Sequence, residues 1–174
     1  ILGLISAVSA LRKTGDNNSD TLDAFDERIL EAILANYRTT RSKTGMRESR
    51  INGPDLRTNG WEYYYNGSAV HYAPHYQALN MATYLWAYDK TGYKPLLERA
   101  KTGIENLMVA YKNKNWNWTN GLQQERAKML LPLAWLVRIE DSAQHREWLD
   151  LIVEDMMRYQ DATTGALRDA FGEA

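Results

Sequence analysis

Apolar positions along this chain recur at helical spacing in three separate stretches. Leu22, Phe25, Ile29, Ile33 and Tyr37 form one stripe. Leu97, Ala100, Ile104, Leu107, Met108 and Tyr111 form a second, and Trp148, Leu149, Ile152, Val153 and Met156 a third. Each stripe has a polar opposite face, as expected of a helix with one side in the core and one in water. Between them lie segments apolar nearly all round: Met129 to Val137 (MLLPLAWLV) and, less strongly, Leu79 to Trp86. Such a pattern predicts helices covered on every side, with a kink where Pro132 interrupts the second of them. Near the start, Ile1, Leu4, Ile5, Val8 and Leu11 also keep helical spacing. That run resembles the end of a secretory signal too, but it lacks a basic leading region and an initiator Met. Localisation therefore stays open, and helix is the reading preferred.

The alternation is an internal repeat. A shift of about 49 residues, the scale of a helical-hairpin repeat, places Trp86 on Trp135. The same shift places Ile104-Glu105-Asn106-Leu107-Met108 on Val153-Glu154-Asp155-Met156-Met157. Tyr111 then meets Tyr159 after a one-residue slip. Upstream, Leu30-Glu31-Ala32-Ile33-Leu34 and Tyr37 match Ile104 to Met108 and Tyr111, and Lys13-Thr14-Gly15 matches Lys90-Thr91-Gly92. The expected fold is all-α: one domain over 1–174 of repeated antiparallel helical hairpins at about 1–37, 71–111 and 122–159, arranged as an (α/α) toroid or part of one. Inner helices are expected near 75–89 and 122–139, and outer ones near 22–37, 94–111 and 145–159. Three hairpins leave apolar faces at each end of the series, so the remaining hairpins are expected from a longer parent chain or a partner subunit.

The hairpin turns are short, around Lys90-Thr91-Gly92 and Ile139 to Ser142, while the outer-to-inner connections are long. Long connections in a compact domain are usually functional, and parallel hairpins bring all of these to one rim. Five of the eleven tyrosines and three of the six tryptophans fall there: Tyr63, Tyr64, Tyr65, Tyr72, Tyr76, Trp61, Trp116 and Trp118. An aromatic ring offers a flat apolar face to the C–H surface of a sugar, and Tyr and Trp add a polar tip. Plugging loops onto the core is the competing role. The rim also holds Arg47, Glu48, Arg50, Asp55, Arg57, Arg168, Asp169 and Glu173. Thr44-Gly45-Met46-Arg47-Glu48 resembles Thr164-Gly165-Ala166-Leu167-Arg168-Asp169 after a one-residue slip, so a glycine turn with an Arg–acid pair recurs. Arginine forks suit carboxylate or sulfate, pointing to an acidic sugar. Bracing ion pairs would look the same.

Charge and composition narrow the classes. The net charge is −1, without the basic excess of a nucleic-acid binder. With no cysteine, disulfides and thiolate zinc sites are excluded. No apolar run reaches a bilayer's thickness, so no membrane span is expected. His71 and His75 have metal-pair spacing, yet Pro74 predicts that the helix starts between them, and no acidic third ligand follows. No metal or cofactor is expected. His145 falls at the opposite end. The triplets at Asn17-Asn18-Ser19, Asn66-Gly67-Ser68 and Asn117-Trp118-Thr119 are read as incidental sequons.

Alternating inner and outer helices, the repeat period and the aromatic and charged rim together resemble the six-hairpin glycosidase superfamily, the (α/α)6 toroids. The resemblance is architectural and carries no alignable catalytic motif. It implies a central funnel at the rim, an oligo- or polysaccharide ligand, and a glycoside hydrolase acting on a uronic-acid-containing glycan. Hydrolysis of this kind uses two carboxylates; the candidates are Glu48, Asp55, Glu125, Asp169 and Glu173. Glu125 leads, at the start of an inner helix, with His75 as a second proton-transfer candidate. A Glu that only steadies its helix's first turn is the competing reading. Trp61, Tyr72, Tyr76, Trp116 and Trp118 are the expected sugar contacts, and Arg126, Arg168 and Asp169 the polar ones. The alternatives are a polysaccharide lyase using His75, Tyr76 and Arg126, and a non-catalytic glycan-binding toroid or helical-repeat scaffold. A terpenoid-cyclase-type toroid would need Asp-rich motifs that the sequence lacks.

Overall fold

A computed structural model describes residues 1–15, 19–38, 42–47, 53–60, 70–118 and 121–168. Those residues are all-α, with seven helices: α1 Leu2–Lys13, α2 Ser19–Arg38, α3 Gly53–Asn59, α4 Pro74–Thr91, α5 Lys94–Lys112, α6 Leu122–Ile139 and α7 Ala143–Met157. The short α3 lies within the first long connection and has no counterpart in the sequence expectation.

Local chemistry sets most boundaries. Pro74 opens α4, where a missing N–H costs nothing, and Gly92, at φ 68°, closes it in the left-handed conformation. A two-residue turn then leads into α5. α6 begins after Gly121, at φ 136°, and runs through Pro132 without a break in the helix. α7 is capped by Ser142, whose hydroxyl accepts from the His145 amide at 3.1 Å. The His145 ring is committed to the same turn through Nδ1, 2.7 Å from the Glu140 carbonyl.

α4 is the centre of the packing. It lies against α6 and α5 and touches α2, while α6 packs on α7 and α1 on α2. α4 and α6 therefore lie side by side, with α5 packed on α4 and α7 on α6. Met81, Tyr84, Leu85, Ile104, Leu107, Met108, Met129, Leu133 and Leu136 form one continuous core with Ile29 and Ile33 of α2. Each such side chain contributes roughly 1.5–3 kcal/mol on burial.

α6 departs from the sequence expectation. Met129, Pro132, Leu133 and Leu136 are buried, but Leu131 and Ala134 are open to solvent. The all-round apolar pattern is real, yet the neighbours among the described residues cover only one side. α1 is similar: Ile5 and Val8 are buried, while Leu4 and Leu11 are exposed. No helix among the described residues is long and apolar enough to cross a membrane.

Candidate functional site at the rim

The starts of α4 and α6 lie together, and Glu125 joins them. Its side chain is 1% exposed. Oε2 accepts the backbone N–H of His75 at 2.7 Å, and Oε1 lies 2.8 Å from His75 Nδ1. Lys128 Nζ is 3.8 Å away. The first amides of a helix have no intrahelical acceptor, and Ala73, the residue before α4, supplies no side-chain cap. Glu125 reaches across from α6 to do so, with a negative charge that the positive end of α4 favours. The charge is tolerated at this depth because both oxygens are engaged. Helix bracing, the competing role for Glu125, thus has a concrete geometry, directed at the neighbouring helix and not at its own.

The same contact orients His75. In a neutral imidazole, Nδ1–H donates to the carboxylate and Nε2 becomes the basic nitrogen. The Tyr76 ring is exposed, with its centroid 4.1 Å from that of His75 and stacked 5.4 Å from His71. His71 precedes the helix, so the two histidines share no helical face. Among the described residues no group of three or more His, Asp or Glu is placed to hold a metal.

The remaining candidates divide by burial. Trp118 is 37% exposed. Tyr72 packs partly against the core, and its carbonyl accepts from the Asn117 amide at 2.8 Å, tying the lead-in of α4 to the segment before α6. Trp116 is a correction. It is buried, its indole N–H donates to the Leu107 carbonyl at 2.7 Å, and its ring lies 4.5 Å from Tyr111. It plugs the loop onto the core and offers no face to a ligand. Arg168 is exposed on the turn after α7. Trp61, Tyr63, Tyr64, Tyr65, Glu48, Arg50, Asp169 and Glu173 lie outside the described residues, as does the side chain of Asp55.

Arg126, the next residue along α6, is bonded to other partners. It is 3% exposed, with its guanidinium carbon 5.6 Å from the ring centroids of both Tyr111 and Tyr159. Nε donates to the Tyr111 hydroxyl at 2.8 Å, and that hydroxyl donates to Asp155 Oδ2 at 2.5 Å. Burial, then the bond to Asp155, push the Tyr111 phenol up to about 12, against the opposing pull of Arg126. Arg126 Nη1 and both amide atoms of Gln123, one turn earlier, have no partner among the described residues. Arg126 is therefore committed to Tyr111 and Tyr159, and Glu125, its neighbour in sequence, to His75.

A hollow of about 640 Å3 opens between the end of α5 and α7, lined by Tyr111, Lys112, Lys114, Glu147, Asp150 and Asp155 among others. It carries both signs of charge, and Lys112 and Glu147 already pair across it at 2.6 Å. It is a groove between α5 and α7, and neither His75 nor Glu125 lines it. The chain Asp155–Tyr111–Arg126 beside it joins three helices, and no spacing in the sequence links its members. Comparison with protein-family models, curated proteins and solved structures finds no match for this chain, so the reading rests on its own residues.

Proposed function

We infer that the protein is carbohydrate-active, binding an acidic oligo- or polysaccharide across the rim where α4 and α6 begin. The observation that carries this reading is the His75–Glu125 pair beside an exposed aromatic, Tyr76, with Trp118 presented from the neighbouring connection. Aromatic faces would seat the sugar. Within the pair, Glu125 acts as a positioning residue and His75 as the proton-transfer group. This arrangement favours proton abstraction beside a uronate carboxylate, the chemistry of a polysaccharide lyase. In that step His75 takes the proton α to the carboxylate, that C–H electron pair forms the conjugated double bond as the bond to the β glycosidic oxygen breaks, and the leaving oxygen takes up a proton from water. Lys128, 3.8 Å from Glu125, is a cation that would balance the developing charge.

Glycoside hydrolysis, the reading drawn from the superfamily resemblance, is the second possibility. Its requirement for two carboxylates flanking the bond would have to be met with Glu48, Asp55, Asp169 or Glu173. A screen of uronic-acid glycans separates the two. Elimination yields new reducing ends together with ultraviolet absorbance from the conjugated product; hydrolysis yields reducing ends alone. Trp118→Ala should weaken glycan binding, and His75→Ala should abolish turnover while sparing binding. Binding that survives with no product of either kind would leave a glycan-binding domain. No binding to any acidic glycan would sink the proposal.

A further inference from the structure

The repeat around Thr44-Gly45 and Thr164-Gly165 is also a repeat of backbone shape, and the two copies differ in what they touch. Gly45 and Gly165 are both left-handed, at φ 71° and 72°. In each copy the preceding threonine hydroxyl accepts the amide of the residue after the glycine, at 3.3 Å. The lead-in differs: the glycine N–H closes onto the carbonyl three residues back, Ser42, in one and four residues back, Asp161, in the other.

The first copy follows outer helix α2 and is seated on the next hairpin. A Cβ at Gly45 would stand 2.5 Å from the Gly103 nitrogen and 2.6 Å from the Arg99 carbonyl oxygen, both of α5. Met46 is fully buried. Gln77 of α4 takes both backbone groups of Arg47: Oε1 accepts its N–H and Nε2 donates to its carbonyl, each at 2.8 Å. Asn106 of α5 donates to the Thr44 carbonyl at 3.1 Å. Glycine in mid-helix costs roughly 1 kcal/mol against alanine; a Cβ at Gly103 would run into Met81 Cε and stand 3.2 Å from the Gly45 carbonyl oxygen, so glycine there makes room for both α4 and the turn.

The second copy follows outer helix α7 and lies open. A Cβ at Gly165 would meet only Gln160 Nε2, at 3.8 Å. Ala166 is exposed, and Leu167 is 43% exposed. The turn is nevertheless held in shape by its own bonds. The Asp161 carboxylate accepts from the amides of Thr163 and Thr164 and from the Thr164 hydroxyl. Gln160 and Leu167 form an antiparallel bridge, flanked by bonds from Asp161 N to Ala166 O and from Arg168 N to Tyr159 O. In that pattern the central residue's own N–H and C=O point away from the paired strand. Leu167, which follows Gly165 at the distance at which Arg47 follows Gly45 when the slip is left out, therefore presents outward the two groups that Arg47 gives to Gln77.

We propose that residues 161–168 form a docking turn for a further helical hairpin built like α4–α5, which they grip as Ser42–Arg47 grips its own. The partner hairpin is defined by the first interface. Its outer helix carries glycine opposite Gly165 and an amide side chain for the Thr164 carbonyl. Its inner helix carries an amide side chain for Leu167, beside a pocket shallower than the one that holds Met46. A second copy of this chain does not supply this seat. Its α4–α5 hairpin already holds its own turn, and the repeat places buried Ile29 of α2 and Ile152 of α7 at the position of Gly103. This inference is independent of the glycan reading.

The test joins residues 48–118 after Arg168, so that an α4–α5 hairpin follows the second turn as the original follows the first. Amide exchange at Gly165, Ala166 and Leu167 should slow by about tenfold or more relative to the 174-residue chain. Gly103→Leu in the added copy alone should restore fast exchange while the added helical signal remains. A gain in helix with unchanged exchange at those amides overturns the proposal. A second variant needs no added hairpin: Met46→Ala with Arg47→Leu puts the Thr-Gly-Ala-Leu block of the second turn on the existing seat. Residues 45–47 should then exchange about tenfold or more slower than residues 165–167 of the same molecule; equal rates overturn it. So does a self-associated form of the unmodified chain in which protection at 165–167 appears only on association.

Discussion

Replacing Glu125 separates a brace from a catalytic acid. Glu125→Ala removes the acceptor for the His75 amide and the partner of His75 Nδ1. Loss of a helix cap costs about 1 kcal/mol, and a hydrogen bond to a charged group about 1.5–3 kcal/mol. The variant should therefore be about 2–4 kcal/mol less stable, short of the 3–5 kcal/mol seen when a fully buried ion pair is broken, because His75 retains some solvent access. Glu125→Gln keeps one oxygen to accept the amide but loses the charge and turns a donor toward His75, so a loss of about 1 kcal/mol is expected. Urea unfolding followed by circular dichroism measures both, at constant dependence on denaturant. Exchange of the His75 amide reports the cap directly. If Glu125→Ala unfolds within about 0.5 kcal/mol of the parent, the range of an ordinary surface change, the brace is wrong. Full turnover in Glu125→Gln would remove the carboxylate's part in orienting His75, since a Gln N–H toward Nδ1 leaves the proton on Nε2.

Other consequences concern the turns and the titrating groups. Gly45→Ala meets both an unfavourable φ and backbone atoms of α5, and should cost more than about 3 kcal/mol, whereas Gly165→Ala meets only the φ penalty and should cost about 1 kcal/mol; parallel unfolding curves compare them. Bonds from the Thr164 amide, the Thr164 hydroxyl and the Thr163 amide hold the Asp161 carboxyl below its usual range. Its contribution is present above the unfolded value and lost as pH falls through the lower folded one, so the amide resonances of Thr163 and Thr164 should shift in that acid window and cease to do so in Asp161→Asn. Tyr111, raised to about 12, should be the tyrosine whose phenolate absorbance appears late. Its stabilisation is whole below the unfolded value near 10 and is lost as pH rises toward 12. Tyr111→Phe removes that phase and, by leaving Arg126 Nε unpaired at depth, should cost about 1–3 kcal/mol.

Periodicity determined much of this molecule. The 3.6-residue stripes, Pro74 at a helix start and Gly92 at a helix end placed the boundaries of α2, α4, α5, α6 and α7 to within a few residues, because these signals act locally along the chain. The repeat also marked the two glycine turns as kin before either had a geometry. Tertiary structure decided what these pieces do. That Glu125 caps α4 depends on two helix starts, separated by an entire hairpin, arriving within hydrogen-bond distance. Trp116 and Trp118 stand two residues apart in one connection; one ring is buried against Tyr111 and the other faces solvent, a difference that no spacing rule contains. Arg126 is one residue along from Glu125, and the helical turn between them sends it to Tyr111 and Tyr159 instead of His75. Gly45 and Gly165 carry nearly the same φ, fixed by local sequence. Only the packing of Gly45 on Gly103 shows that this shape also serves as a docking surface, since a backbone contact between distant segments depends on where the intervening helices bring them.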